Sequence, residues 1–447
     1  MYRAIIPALL AFLLGTFSET LLAQEIKLPE GLGDLSIMVA EESEEQGVPF
    51  DLSGFLESRI GARLGSDAHQ KDMSIGEMRF QVGIEKEFDS LTFNFVSDFI
   101  YDPVQGKHAV NLETGQGFMD IREANLTFSP LDFMDVKVGR QVLTWGTGDL
   151  LFINDLFAKD WNSFFIGRDD EYLKGPSDAL KMAFFFGDYN LDVVYVPRFD
   201  ADRFIDGTRI SFFDRASSDL SGRKNPVFVD RLDRWFEDDE LALRFYGAFG
   251  AYETALYYYN GYWKSPAGQN ITTGRGTFPR LQVFGSSIRG PVSKGIGSLE
   301  IGYYKSSDGA GSNPLVRNSE IRMSVGYEQE IGSEFTGGIQ YYVEHRLDYD
   351  QYLAALPNGA LQDRQNRHLF TLRVTKLLMQ QDLKISLFDF YSPSDKDGYL
   401  RLNISYKILD TLKVELGGNI FYGQKVYSFF GQFQDNSNIY TAIHYDF

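Results

Sequence analysis

The chain contains no cysteine. That absence removes disulfide frameworks, thiolate zinc sites, iron–sulfur clusters and haem attached through a Cys-x-x-Cys-His motif. It also spares an exported chain from mispairing in an oxidising compartment. Histidine is scarce: His69, His108, His345, His368 and His444 are the five. None belongs to a His-Glu-x-x-His motif, and the chain has neither a Gly-x-Ser-x-Gly elbow nor a nucleotide-binding loop. No EF-hand spacing appears either, so neither a metal nor a cofactor is expected. Positive charge is in deficit, with 43 Lys and Arg against 62 Asp and Glu and a net charge of −19. Nucleic acid is therefore not an expected partner. Beyond the N-terminus no window approaches ~18 continuous apolar residues, which excludes helical membrane spans.

What is abundant is aromatic: 25 Tyr and 38 Phe in 447 residues, with a mean hydropathy of −0.23. The N-terminus carries Arg3, an apolar run over 4–17 and a small residue at Ala23. That is the layout of an export signal over residues 1–23, removed after Ala23. Residues 24–49 hold Glu25, Glu30, Asp34, Glu41, Glu42, Glu44 and Glu45 against Lys27 alone, an acidic extension rather than a packed domain.

From Phe50 onward the hydrophobic period is two. Leu400, Leu402, Ile404, Tyr406 and Ile408 alternate with Arg401, Asn403, Ser405 and Lys407. The same pattern runs through Ile321–Glu328, Phe370–Thr375 and Leu412–Gly417. Connections alternate in length. Short ones fall near residues 88–91, 129–133, 187–190, 249–251, 290–297, 331–333, 379–382 and 409–411. Longer ones fall near 65–72, 102–117, 143–177, 198–237, 263–278, 307–317, 346–365, 392–397 and 423–437. Counting between them predicts about 18 antiparallel strands over residues 50–447, or 16 if boundaries move by a few residues.

The chain ends on Phe447, closing the alternating stretch 439–447. This terminal strand resembles the C-terminal signature of Gram-negative outer-membrane β-barrels. The resemblance implies that the barrel-assembly machinery reads it, and that outer-membrane lipid and lipopolysaccharide surround the protein. It also implies that the acidic extension lies in the periplasm. The expected fold is thus all-β: a single transmembrane antiparallel barrel with short periplasmic turns and long extracellular loops. Closure has a physical cause, because an unpaired strand edge in lipid costs several kcal/mol per backbone group. The last strand is expected to pair with the first, near residues 50–64.

With the apolar face outward, Lys181, Arg244, Arg322, Arg373 and Arg401 point inward on descending strands. Asp192, Glu253, Glu300 and Glu415 point inward on ascending strands, nearer their periplasmic starts. Such a layout predicts a basic upper lumen over an acidic lower one, with Glu123 and Glu344 (high) and Lys413 (low) as exceptions. The competing expectation is that these charges pair locally and only keep the lumen wet.

The 143–177 segment is unusually apolar for an outer loop, containing Trp145, Leu150, Leu151, Phe152, Ile153, Phe157, Trp161, Phe164, Phe165 and Ile166. Exposed in water it would be costly, so it should fold inward or pack as a lid. Folded inward, Asp149, Asp155, Lys159, Asp160, Arg168, Asp169, Asp170 and Lys174 would line the narrowest passage. Just before it, Gly139-Arg140-Gln141 and Trp145-Gly146 resemble a box of porin-like outer-membrane families and, more loosely, of alginate-export barrels. In such families this strand end leads into a loop that shapes the pore. Arg140 falls on the outward register unless a bulge intervenes. The mixed-sign 198–237 segment, with Arg203 and Arg209 among its bases, reads as a self-paired surface loop. The acidic runs 169–171 and 237–240 read as solvated.

These resemblances imply a porin, passing small polar or anionic solutes by passive diffusion. An export channel for an anionic polysaccharide, or the sheath of a multi-protein conduit, is the alternative. A barrel hydrolase built around His345 is a third, against which strand-end histidines usually hold interfacial hydrogen bonds. No enzyme activity is expected. The porin likeness also implies a homotrimer.

Overall fold

The computed structural model describes residues 50–106 and 108–447. The expected export signal (1–23) and acidic extension (24–49) lie outside the described residues. Eighteen strands form one antiparallel sheet. The first seven are β1 Asp51–Arg63, β2 Met73–Phe88, β3 Leu91–Tyr101, β4 Met119–Leu131, β5 Met134–Val142, β6 Pro176–Phe186 and β7 Tyr189–Val196. The middle six are β8 Glu240–Phe249, β9 Tyr252–Tyr262, β10 Arg280–Val292, β11 Gly295–Ser306, β12 Glu320–Gly332 and β13 Phe335–Arg346. The last five are β14 Asn366–Leu378, β15 Leu383–Ser392, β16 Asp397–Leu409, β17 Leu412–Gly423 and β18 Asn438–Asp446.

Each strand pairs with its sequence neighbour, and β1 pairs with β18 from Phe55↔Asp446 to Arg63↔Asn438. The sheet is therefore a closed barrel with no free edge, as expected of a wall whose backbone groups must be satisfied in lipid. Phe447 extends the seam: its N–H donates to the Gly54 carbonyl (3.0 Å) and its carbonyl accepts from the Gly54 N–H (3.2 Å).

The period of two sorts the side chains. Leu52, Ile60, Leu372, Leu402, Leu416 and Ile443 are exposed on the outer face, a band suited to acyl chains. Phe88, Phe186 and Phe249 are exposed at the turn rim, and Tyr101, Tyr391 and Tyr422 toward the loop rim, the positions of the two aromatic girdles. No helix among the described residues is long and apolar enough to cross a membrane.

The apolar core lies inside the barrel. Ile153, Phe157, Phe164, Phe165 and Ile166 of the β5–β6 connection pack with the wall residues Tyr304, Tyr399, Phe421 and Tyr440. Phe430 and Phe433 of the β17–β18 connection complete the cluster.

Candidate functional site

The β5–β6 connection, residues 143–175, enters the barrel in two lobes. The first lobe runs past β9, where Trp145 lies 4.8 Å from the Phe157 ring and 6.3 Å from Tyr257. Its tip, Asp149, reaches β14 and accepts two bonds of 2.7 Å from Arg373 Nη1. The chain then returns along β11 and β9. The second lobe begins at the helix α1, Trp161–Ile166, capped by Asp160 accepting from the Ser163 N–H at 2.8 Å. It packs Phe164 and Phe165 edge-on against Tyr399 of β16. It then reaches β1, β2 and β4 before returning to β6. A segment touching β9, β11, β14, β16, β1, β2 and β4 of one closed wall occupies the lumen.

Besides the Asp149–Arg373 tie, two buried anchors hold it. Glu300 of β11, only 1% exposed, accepts from the N–H groups of Thr147 (3.2 Å), Gly148 (3.2 Å) and Asn154 (2.9 Å), and from the side chains of Thr147 and Asn154. Gly146 permits this approach with a φ of 90°, and a Cβ there would sit 3.2 Å from the Glu300 carboxylate. The second anchor grips residues 167–172. Arg59 of β1 donates to the Gly167 carbonyl at 2.8 Å, and Arg401 of β16 donates to the Arg168 carbonyl at 2.9 Å and pairs with Asp170. Arg168 in turn donates from Nε to Glu77 of β2 at 3.0 Å. Arg79 and Arg122 stack on the Tyr172 ring at 4.0 and 4.8 Å.

These arginines and carboxylates hold each other. Arg59 bridges Glu57 and Glu415 at 2.8 and 3.0 Å, and Arg79 bridges Glu77 and Asp98. Pairs two apart on a strand share one face, so Glu57 with Arg59, Glu77 with Arg79 and Glu320 with Arg322 recur as one inward device. A buried charge persists only when paired in this way. The sequence reading missed Arg59, Glu77, Arg79 and Arg122, although the Glu-x-Arg spacing on alternating strands marks the first three.

The charges do not segregate into a basic upper and an acidic lower lumen. Arg244 stands directly opposite Asp192 on the β7–β8 ladder and donates to Glu253 at 3.1 Å. Lys181 lies 3.8 Å from Asp192, Arg322 donates to Glu320 at 2.6 Å, and Lys413 lies 3.1 Å from Glu415. Arg373 and Arg401 are spent on the loop, and Glu300 serves it as an anchor. Register sets this outcome, since neighbouring inward positions on adjacent strands lie within reach of long side chains.

Within the loop, Asp155 accepts from Thr144 Oγ1 and Lys159 Nζ, both at 2.8 Å. Trp161 Nε1 donates to Asp202 at 3.2 Å. Asp169 accepts from the Glu171 N–H at 3.1 Å and Asp170 pairs with Arg401, but all three acids of the 169–171 run stay exposed, as expected of solvated carboxylates; in the 237–240 run Asp238 and Glu240 are buried instead. At Arg140 no bulge intervenes, because Ala124↔Arg140 follows Asn125↔Gly139 without a shift. Its side chain is buried instead against Asp178, at 3.0 Å. The 197–239 connection is self-paired only at Arg234, which holds Glu237 and Asp238; its other paired arginines reach outside it. Arg203 bonds Asp120 of β4 at 2.7 and 2.8 Å, and Arg209 pairs with Asp102 and the Ser74 carbonyl. Burial makes those partners obligatory, which a composition of mixed sign does not reveal. His345 bonds Asn366 at 2.7 Å.

No family model matches the chain, and no curated protein matches it. Solved structures do. OccAB4 of Acinetobacter baumannii aligns with a TM-score of 0.56 and 9% identity over 90% of this chain and 99% of that one. OccK11 (OpdR) of Pseudomonas aeruginosa aligns at 0.53 and 10% identity over 88% and 95%. OccK5 (OpdH) of the same organism aligns at 0.50 and 9% identity over 89% and 97%. At such identity the likeness is one of fold alone, that of a closed antiparallel β-barrel.

Proposed function

We propose that this chain is an outer-membrane diffusion channel for small polar solutes, with the 143–175 loop as its constriction. The observation that carries the reading is the loop's course: it lies inside a closed barrel, fastened by Glu300, Arg373, Arg401 and Arg59. Any solute crossing the barrel passes the surfaces it leaves open. The candidates Arg140, Trp145, Asp149, Asp155, Asp160, Trp161, Arg168 and Asp169 act in this reading as the frame of the constriction. Lys181, Asp192, Arg244 and Glu253 form a polar wall near it, with Arg322 and Glu415 elsewhere on the lumen face.

Local pairing favours small dipolar solutes over a polyanion, because a continuous track of unspent positive charge would be needed to carry a polymer. The reading is that of a channel rather than an enzyme, assembled through its C-terminal strand and bordered by lipopolysaccharide. Planar-bilayer recording of the refolded protein tests it. Stepwise ohmic insertions are the expected result. A heat-modifiable, folded barrel that adds no conductance at any voltage would overturn it.

A further inference from the structure

The connections 102–118, 197–239 and 263–279 enclose a cavity of 330 Å³ at the loop end of the barrel, within the range of small-molecule pockets. It meets the 143–175 loop only at Ala158 and Gly175. Its rim is open: Phe228 is 63% exposed. One wall is aromatic, with Phe278 lying 5.0 Å from Phe199 and 6.3 Å from Phe204.

Most charges on this cavity are committed. Arg203 serves Asp120 and Asp160, and Arg231 serves Glu113. Asp202 accepts from the Lys159 N–H, Trp161 and Ser265. Two are not. The Arg140 side chain is 8% exposed, yet only its Nε is used, on Asp178. Its two Nη groups have no partner among the described residues. Asp200, also 8% exposed, accepts one bond, from the Asp178 N–H to Oδ2 at 3.1 Å. Lys264 does not take its other oxygen, because its ammonium is held by Glu240 (2.6 Å) and the Asp200 carbonyl (3.0 Å).

Two buried residues thus turn an unspent donor pair and an unspent acceptor toward one aromatic-walled cavity, joined through Asp178. A ligand group that both accepts and donates satisfies the two, and a hydroxyl is such a group. A sugar ring supplies neighbouring hydroxyls of this kind, and its C–H face suits the phenyl rings. A ligand anion would meet the Asp178 and Asp200 carboxyls, and a ligand cation would meet the Arg140 guanidinium, so a neutral ligand is favoured.

We propose that this cavity binds a neutral sugar, with Arg140 and Asp200 taking adjacent hydroxyls and Phe199, Phe204 and Phe278 taking the ring. The site does not depend on the channel reading, since binding is measured without a membrane.

The test is isothermal titration of the folded protein with glucose, maltose and sodium glucuronate. An amine-oxide detergent is required, because glucoside and maltoside detergents carry the probe. Saturable binding of glucose or maltose is expected, weakened at least tenfold in Arg140→Met and in Phe204→Ala. Phe228→Ala, at the exposed rim, provides a variant that leaves the buried wall intact and should weaken binding several-fold. Three results overturn the proposal: no heat from either neutral sugar, glucuronate binding where neutral sugars do not, or wild-type affinity in folded Arg140→Met and Phe228→Ala.

Discussion

Asp149 and Arg373 are 224 residues apart in the chain, and the guanidinium donates to both carboxylate oxygens at 2.7 Å. The bond ties the tip of the first loop lobe to β14, on the wall away from the strands that carry the loop. Both side chains remain about one-third exposed, so the pair contributes at most about 1 kcal/mol to stability. Its weight is electrostatic. Arg373→Ala removes a lumen cation and leaves Asp149 unpaired, so the reversal potential in a KCl gradient should move toward potassium selectivity. An unchanged potential would place this lobe outside the conduction path.

Glu300 is the opposite case, a buried carboxylate surrounded by loop donors. Glu300→Gln turns one acceptor into a donor facing N–H groups, at a cost of about 1–3 kcal/mol. The loop should loosen locally while the barrel stays folded. Trypsin cleavage after Lys159 or Arg168, absent in the parent and present in the variant, is the expected readout.

Gly167 has a φ of 86°, and a Cβ there would overlap the Tyr440 ring. Its carbonyl is also the acceptor for Arg59. Gly167→Ala should therefore cost about 1–3 kcal/mol through backbone strain and displaced packing. A lowered temperature of gel heat-modifiability would report it, and an unshifted transition would refute it.

Asp200 titrates unusually. Burial raises its pKa to about 7; Lys264 opposes the shift, while Glu240 and Asp178 add to it. A carboxyl with a raised folded-state pKa holds its proton more tightly when folded than when unfolded. Its contribution is therefore fully favourable below the ordinary value near 3.8 and is lost as pH rises through about 7. Hydrogen exchange of the 197–239 connection, corrected for intrinsic rates, should show more protection at pH 5 than at pH 8. Asp200→Asn should flatten that difference.

Phe447 closes the seam. Besides its two backbone bonds to Gly54, its ring stacks 5.8 Å from Phe80 of β2, and a Cβ on Gly54 would meet it at 2.8 Å. Deleting Phe447 should lower the yield of heat-modifiable barrel in refolding, whereas Phe447→Tyr should retain most of it. Equal yields from the deletion and the parent would remove the residue from closure.

The barrel was legible because its causes are local or terminal. Alternation of Leu402, Ile404 and Tyr406 with polar neighbours needs only two-residue spacing, and tight turns against long loops need only connection length. Those two patterns led to 18 strands, and the aromatic end at Phe447 led to the β1–β18 pairing. The inward register of Lys181, Arg244, Arg322, Arg373 and Glu415 follows from the same alternation. The Glu-x-Arg pairs on β1 and β2 were equally available to it.

Partnership was not legible. Nothing near Glu300 in the chain says that it will meet Thr147, Gly148 and Asn154, and nothing near Arg203 names Asp120. Those choices depend on where the 143–175 and 197–239 connections settle against a wall closed by strands from both ends of the sequence. The sequence by itself determined the wall, because periodicity is a property of neighbouring residues. Only the tertiary structure decided which charges are spent and which, as at Arg140 and Asp200, remain open, because burial and pairing are properties of distant ones.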